Sequence, residues 1–423
     1  MKAIAAFALL LCLTASGALA QEWPTFGHDE QRTGYSSSSA PETDQIAWTF
    51  DGSGSFSSPA VADDKVFVGS EDGYIRAINA INRKEVWSFK IGDDVASPTF
   101  ADGHIYIGSR DNSVYCLNAA TGENLWSYPT RDAIYSAPAV VAGVVYVTST
   151  DGYVYSINAA TGQLLWENNL GSRITSSPAV ANDEVFVGTW DGRVYALRTS
   201  DGAWVWPPFQ TGEPGMLENY PIISSPAIVG GRVYVGSNDW HLYVLDAATG
   251  ENLWKFKAGY QIESSPAIVD NVVYFGSSDG YVYALDARDN VQNRELWKFK
   301  TGNRVQSSPA VANNKVFIAS QDGYLYAFNT GNNVGDRVLW KHPIGKTGRA
   351  SPAVAYGKVF IGTSEGKLYC FGSWGSVRGG DIGKGVIYLF ITGLLVLALW
   401  GLSRLKPPAL KKHRKVLKKL KKK

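Results

Sequence analysis

The stretch that decides the fold starts with Ser224-Ser225-Pro226-Ala227-Ile228-Val229 and, after Gly230-Gly231, continues as Arg232-Val233-Tyr234-Val235-Gly236-Ser237. After Asn238-Asp239 come Trp240-His241-Leu242-Tyr243-Val244-Leu245-Asp246, and then Ala247-Ala248-Thr249-Gly250-Glu251-Asn252-Leu253-Trp254. Short runs rich in β-branched and aromatic residues alternate with glycine, asparagine and aspartate turns, which is the pattern of four consecutive strands. No helical periodicity runs through it.

Working outward, the same phrase recurs with its proline at Pro59, Pro98, Pro138, Pro178, Pro226, Pro266, Pro309 and Pro352, at spacings of 39, 40, 40, 48, 40, 43 and 43 residues. Four antiparallel strands in about 40 residues make a propeller blade, so eight phrases predict an all-β, eight-bladed β-propeller of four-stranded antiparallel blades. Trp48 lies in a strand-like segment, Ile46 to Phe50, with no blade before it, whereas the last unit ends at Phe371 without an outer tryptophan strand. Residues 46–50 are therefore expected to close the last blade, which removes an exposed sheet edge.

The ends predict a topology. Lys2, an apolar stretch and Gly17-Ala18-Leu19-Ala20 read as a signal peptide over residues 1–20. A lipoprotein reading on Cys12 lacks the small residue expected just before a lipidated cysteine. Residues 21–45 form a lead-in, 46–372 the propeller and 373–385 a Gly-rich linker. Val386 to Leu402 is an uncharged apolar run expected to span a membrane as a single helix, and 403–423 a basic tail expected on the cytoplasmic side. The propeller is thereby expected outside a cell membrane. Without Lys2 and the eleven cations of the tail, 28 basic residues face 38 acidic ones, so the folded part is acidic and no nucleic-acid partner is expected.

The phrase Asp246-Ala247-Ala248-Thr249-Gly250 to Trp254, and the opening Trp23-Pro24-Thr25-Phe26-Gly27-His28-Asp29 with Thr33-Gly34, resemble the tryptophan-docking motif and lead-in of pyrroloquinoline-quinone-like repeat propellers. The resemblance covers residues 23–371. It implies that Trp48, Trp87, Trp126, Trp166, Trp206, Trp254, Trp297 and Trp340 dock between neighbouring blades. The family includes quinoprotein dehydrogenases, many of which place adjacent cysteines on the quinone and hold calcium with Glu, Asn and Asp. It is also similar in fold to the propeller lipoprotein of the outer-membrane β-barrel assembly machinery, an adaptor.

An enzyme finds little support in the residues. The mature cysteines, Cys116 and Cys370, sit alone in third strands of different blades and read as buried free thiols. The histidines His28, His104, His241, His342 and His413 show no metal-ligand spacing, and the Ser-Ser-Pro serines and Asp-Gly steps recur as framework. The longer turns Asp286 to Glu295 and Asn329 to Asp336 lack Asp-x-Asp-x-Asp-Gly and read as polar turns. No catalytic or metal residue is assigned and no cofactor is expected; pyrroloquinoline quinone with calcium belongs to the alternative, a dehydrogenase or sensor. A structural cell-surface protein is the other alternative.

Binding is sought where blades differ on one face, called the top, which carries the starts of the first strands and the turns between second and third strands. Three positions before the prolines stand Phe56, Val95, Tyr135, Thr175, Ile223, Glu263, Gln306 and Arg349, expected to ring the channel mouth. The extra residues before blade five fall in Pro207 to Pro221, with Met216, Leu217, Glu218 and Tyr220, and Trp240-His241 replaces the Gly-Tyr of other turns. The candidate surface is therefore Trp190, Met216, Glu218, Tyr220, Trp240, His241, Glu263, Gln306 and Arg349, facing a protein partner or an extracellular polymer. The oligomeric state is left open.

Overall fold

The computed structural model describes residues 22–212, 220–331 and 336–373. The expected signal peptide, the linker beyond Ser373, the membrane helix and the basic tail lie outside the described residues, as do Met216 and Glu218.

The described residues form eight sheets around one channel. Blade six shows the plan: Ala267–Val269, Val272–Gly276, Tyr281–Asp286 and Glu295–Lys300 follow one another outward, each antiparallel to the last. The first hairpin turns on residues such as Asp270-Asn271 and Asn313-Asn314, both members of each pair in the left-handed region. This is the type I′ geometry whose twist matches the flanking strands. Ile46–Asp51 is the outermost strand of the eighth blade, antiparallel to Lys367–Phe371, so the two ends of the repeat array are joined by strand pairing.

Blades are fastened to one another by the residues that recur. The indole nitrogens of Trp48, Trp87, Trp126, Trp166 and Trp206 donate to the carbonyls of Ala80, Ala119, Ala159, Thr199 and Ala247, each in the next blade, at 2.8–3.0 Å. The glycines beneath the Trp87, Trp126, Trp166 and Trp206 rings, Gly122, Gly162, Gly202 and Gly250, have two reasons to be glycine. Gly122 has φ +75°, and a Cβ there would stand 2.6 Å from the Trp87 ring.

Nearer the axis, the backbone N–H of the residue before one proline donates to the serine hydroxyl of the next blade. These bonds run Ala137 to Ser177, Ser177 to Ser225, Ser225 to Ser265, Ser265 to Ser308, Ser308 to Ser351 and Ser351 to Ser58, at 2.8–3.0 Å. All six donors are buried, and the belt of hydroxyls satisfies them where water does not reach.

The lead-in winds around the channel below this belt. Trp23 pairs with Val61, and carbonyls of Pro24, Glu30, Gln31, Thr33 and Gly34 accept from the first strands of blades two, four, five, six and seven, at Phe100, Val180, Ile228, Ile268 and Val311. Tyr35–Ser36 then pairs parallel with blade seven. At its centre the guanidinium of Arg32, 1% exposed, spends all its donors on neutral oxygens. These are the carbonyls of Pro178, Ala137, Pro138 and Phe26 and the Thr25 hydroxyl. Burial lowers its pKa to about 10, and it remains a cation at neutral pH.

Candidate functional site

The turn between second and third strands carries an aspartate in seven blades, with Glu365 in blade eight, and these aspartates tie the top face together. Asp279 accepts from the backbone N–H of Gly259 at 2.8 Å, on the segment arriving from the blade before, and from the Tyr283 hydroxyl at 2.7 Å. Asp322 does the same with Gly302 and Tyr326, and Asp239 with Gly212 and Tyr243. Burial alone would raise the Asp239 carboxyl, but hydrogen bonds from His241 and Tyr243 outweigh it and hold the group below the usual carboxylate range. His241 faces this aspartate, with Nδ1 3.0 Å from the Asp239 carbonyl oxygen.

The residue after this acidic residue needs a positive φ. Six blades supply glycine, at Gly73, Gly152, Gly192, Gly280, Gly323 and Gly366, and blade two supplies Asn112. Blade five supplies Trp240 at φ +75°. A bulky side chain in this region costs about 1–2 kcal/mol, and such outliers cluster at functional sites. The strain does not serve core packing, since Trp240 is 37% exposed. Its ring lies 5.5 Å from that of Tyr260, at 31°, and Tyr260 is itself 39% exposed; Lys257 Nζ stands 5.6 Å from the indole.

Toward the axis, three of the candidate residues meet. Gln306 Nε2 and Arg349 Nη2 each donate to Glu263 Oε2 at 2.8 Å, and Gln321 donates in turn to the Gln306 side-chain oxygen. The Glu263 side chain is 8% exposed and that of Arg349 63%. A buried carboxylate is thus neutralised by a guanidinium that keeps most of its surface in solvent. Tyr260 and Glu263 are three residues apart on one connecting segment, at most about 10 Å, so the aromatic pair and the polar cluster are neighbours.

Other expectations are redirected. Trp190 is half-buried, its indole N–H donating to Thr175 at 2.9 Å beneath the Arg173 guanidinium, and is not part of the Trp240 pair. Tyr220 lies beside Gly192 of the blade-four turn. Phe209–Gln210 within the Pro207 to Pro221 stretch is the outer strand of blade four, so this stretch is not all insertion. Phe56 and Val95 do not ring the mouth. They are buried against Gly362 and Gly69, in the packing place that Ile134 takes against Gly108. The cause is one residue: tryptophan precedes proline by 11 positions at Trp48 and Trp87 and by 12 at Trp126, Trp166, Trp254, Trp297 and Trp340. Tyr260 escaped the sequence reading, although it stands six residues before its proline, as Tyr220 does, where other blades have Asp132, Ser172 and Asn303.

The resemblance implies a quinone with calcium, and the residues present do not fit that group. The buried carboxylate of Glu263 is taken up by Arg349 and Gln306. Among the described residues no three His, Cys, Asp or Glu side chains converge as a metal would require. Cys116 and Cys370 pair across strands with Trp126 and Trp48, away from the channel, and burial pushes both thiols up, that of Cys116 to about 12.

The fold is shared widely among solved structures. The computationally designed Ika8 protein superposes with a TM-score of 0.66 at 19% identity, over 79% of this chain and 100% of its own. BamB from Moraxella catarrhalis gives 0.66 at 17%, over 78% and 99%. A europium-containing methanol dehydrogenase gives 0.72 at 15%, over 84% and 98%. At such identities the likeness establishes the fold alone. No curated protein sequence matches the chain. A sequence profile described as outer membrane protein assembly factor BamB, however, matches residues 71–216, 220–293 and 287–378. On that match, which takes in most of the propeller and agrees with its repeats, the chain belongs to the BamB-type family of pyrroloquinoline-quinone-like repeat propellers.

Proposed function

We propose that this protein is an extracytoplasmic binding platform, tethered by the apolar segment 386–402, that holds a partner against the top of blades five to eight. The observation that carries the reading is Trp240, an exposed aromatic kept in a backbone conformation that the other blades give to glycine or asparagine. Packing does not repay that strain, and a ligand contact would. The plugged channel agrees, because the lead-in and Arg32 close it from below and leave the top mouth as a blind surface. The family profile supports it too, being described by an assembly factor and not by an enzyme.

The test is a photo-cross-linking residue at Gln261 in the full-length chain on native membranes, with and without Trp240→Gly. A distinct adduct that disappears in the variant is expected. Loss of the indole forfeits about 0.5–1.5 kcal/mol of ring contact, and relief of strain returns a similar amount, so the melting temperature is expected to move little. Adducts that persist unchanged in the variant, or a collapse of stability, would overturn the reading.

A further inference from the structure

We propose that the ligand of this face is an acidic polysaccharide, a chain of sugar rings carrying carboxylates; this inference rests on the binding-platform reading and specifies its ligand.

Two features of the surface argue for sugar. First, the Trp240 and Tyr260 rings offer apolar faces of the size of a pyranose, but their surroundings are polar: Lys257 beside them, and Gln261 and Glu263 along the same segment. Second, the adjoining groups are flat and hydrogen-bonding, Glu263, Gln306, Gln321 and Arg349, and are already locked in one another's hold. Planar amides and guanidinium present donors and acceptors in fixed pairs, which suits neighbouring hydroxyls and a carboxylate on a rigid ring. Holding these groups in place before binding lowers the entropy cost of recognising a polar ligand.

Charge selects the acidic class. The folded part of the chain is acidic overall, yet the inner rim of this quarter carries exposed Arg304, Lys346 and Arg349, with Lys257 further out. Arg304 and Lys346 occupy one equivalent position, where the carbonyl accepts from the next turn at Gln321 and Ser364. The counterpart in blade four is Arg173 and that in blade two is Asp94, which lies near Glu71 and Asp93 with Arg110 at 3.8 Å; burial together with the nearby Glu71 charge raises its carboxyl. On the cationic side Glu263 is bound to Arg349, which leaves Glu365 as the exposed acid of the blade-eight turn. The rim therefore carries exposed cations at Arg304, Lys346 and Arg349 over blades seven and eight, and over blades one and two the acids Glu71, Asp93 and Asp94 with Arg110 among them. An anionic polymer laid on the aromatic pair would run toward Arg349 and away from Asp94.

Affinity electrophoresis of the full-length chain in polygalacturonate, with dextran as the uncharged control, tests the inference. Retardation by polygalacturonate and not by dextran is expected, with about a ten-fold weaker apparent affinity in Trp240→Gly and in Arg349→Ala. The basic tail is unchanged in both variants and sets the background. Equal retardation of wild type and variants would assign the binding to the tail and overturn the inference; so would equal retardation in dextran. If polygalacturonate fails while the Gln261 adduct is a protein and is lost in Trp240→Gly, the polysaccharide is overturned and the binding platform stands.

Discussion

Trp126 and Trp254 hold the same place in their blades but differ in what their indole nitrogens meet. The Trp126 N–H donates to the Ala159 carbonyl at 2.9 Å, whereas that of Trp254 is buried with no hydrogen-bond partner. The difference lies in the next blade, whose turn after Asp286 is longer by three residues and brings the Arg294 guanidinium over the Trp254 ring, 4.0 Å from its centroid. A cation on the ring face replaces a carbonyl at the ring edge. Replacing each tryptophan by phenylalanine removes the N–H from both. Trp126→Phe is expected to cost about 1 kcal/mol more than Trp254→Phe, the worth of one hydrogen bond, in urea unfolding midpoints. Equal losses would mean that the docking bond contributes nothing. The tryptophan positions are legible in the sequence because they repeat. Which nitrogens are satisfied is not, since it depends on the path of a turn in a different blade.

At the scale of elements, the lead-in is held by Arg32 as much as by its own backbone bonds. A lysine there would keep the charge but cannot fork its donors to the carbonyls of Pro178, Ala137 and Pro138 together. Arg32→Lys is expected to destabilise the protein by about 2–4 kcal/mol, because a buried cation and several carbonyls lose partners. It is also expected to expose residues 22–45 to protease under native conditions. A lead-in that stays protected in the variant would show that strand-edge bonds alone hold it. From the sequence this segment was recognisable as a lead-in through Trp23-Pro24-Thr25-Phe26-Gly27. That it coils through the channel was not, because its backbone partners are single residues from six blades, Val61 to Val311, with no local signature. The candidate site shows the same division: Trp240 stood out against the glycines of its column, and its meeting with Tyr260 across a turn and a connecting segment did not.

The whole molecule inherits a pH limit from its repetition. Tyr115, Tyr155, Tyr283 and Tyr326 are raised above the usual phenol range, first by burial and then by donating to the turn aspartates Asp111, Asp151, Asp279 and Asp322; Tyr115 reaches about 12. An unfolded tyrosine loses its proton near pH 10, while these keep theirs in the fold. Stability from this source is complete below about pH 10 and is lost as pH rises toward the folded values. Urea midpoints measured from pH 8 to about 11.5 should hold level and then fall, and Tyr283→Phe should shallow the fall; a level profile throughout would exclude these tyrosines as its cause. The sequence by itself determined the number of blades, the order of strands and the framework residues. A phrase repeated eight times requires eight equivalent environments, and local periodicity and turn chemistry specify each one. Only the tertiary structure decided the rest: the serine belt, the plugged channel, the burial of Phe56 and Val95, and the neighbourhood of Trp240, Tyr260, Glu263 and Arg349. Those contacts join residues tens to hundreds of positions apart, and the closing of the ring, with the one-residue differences in how each blade enters it, sets which side chains meet.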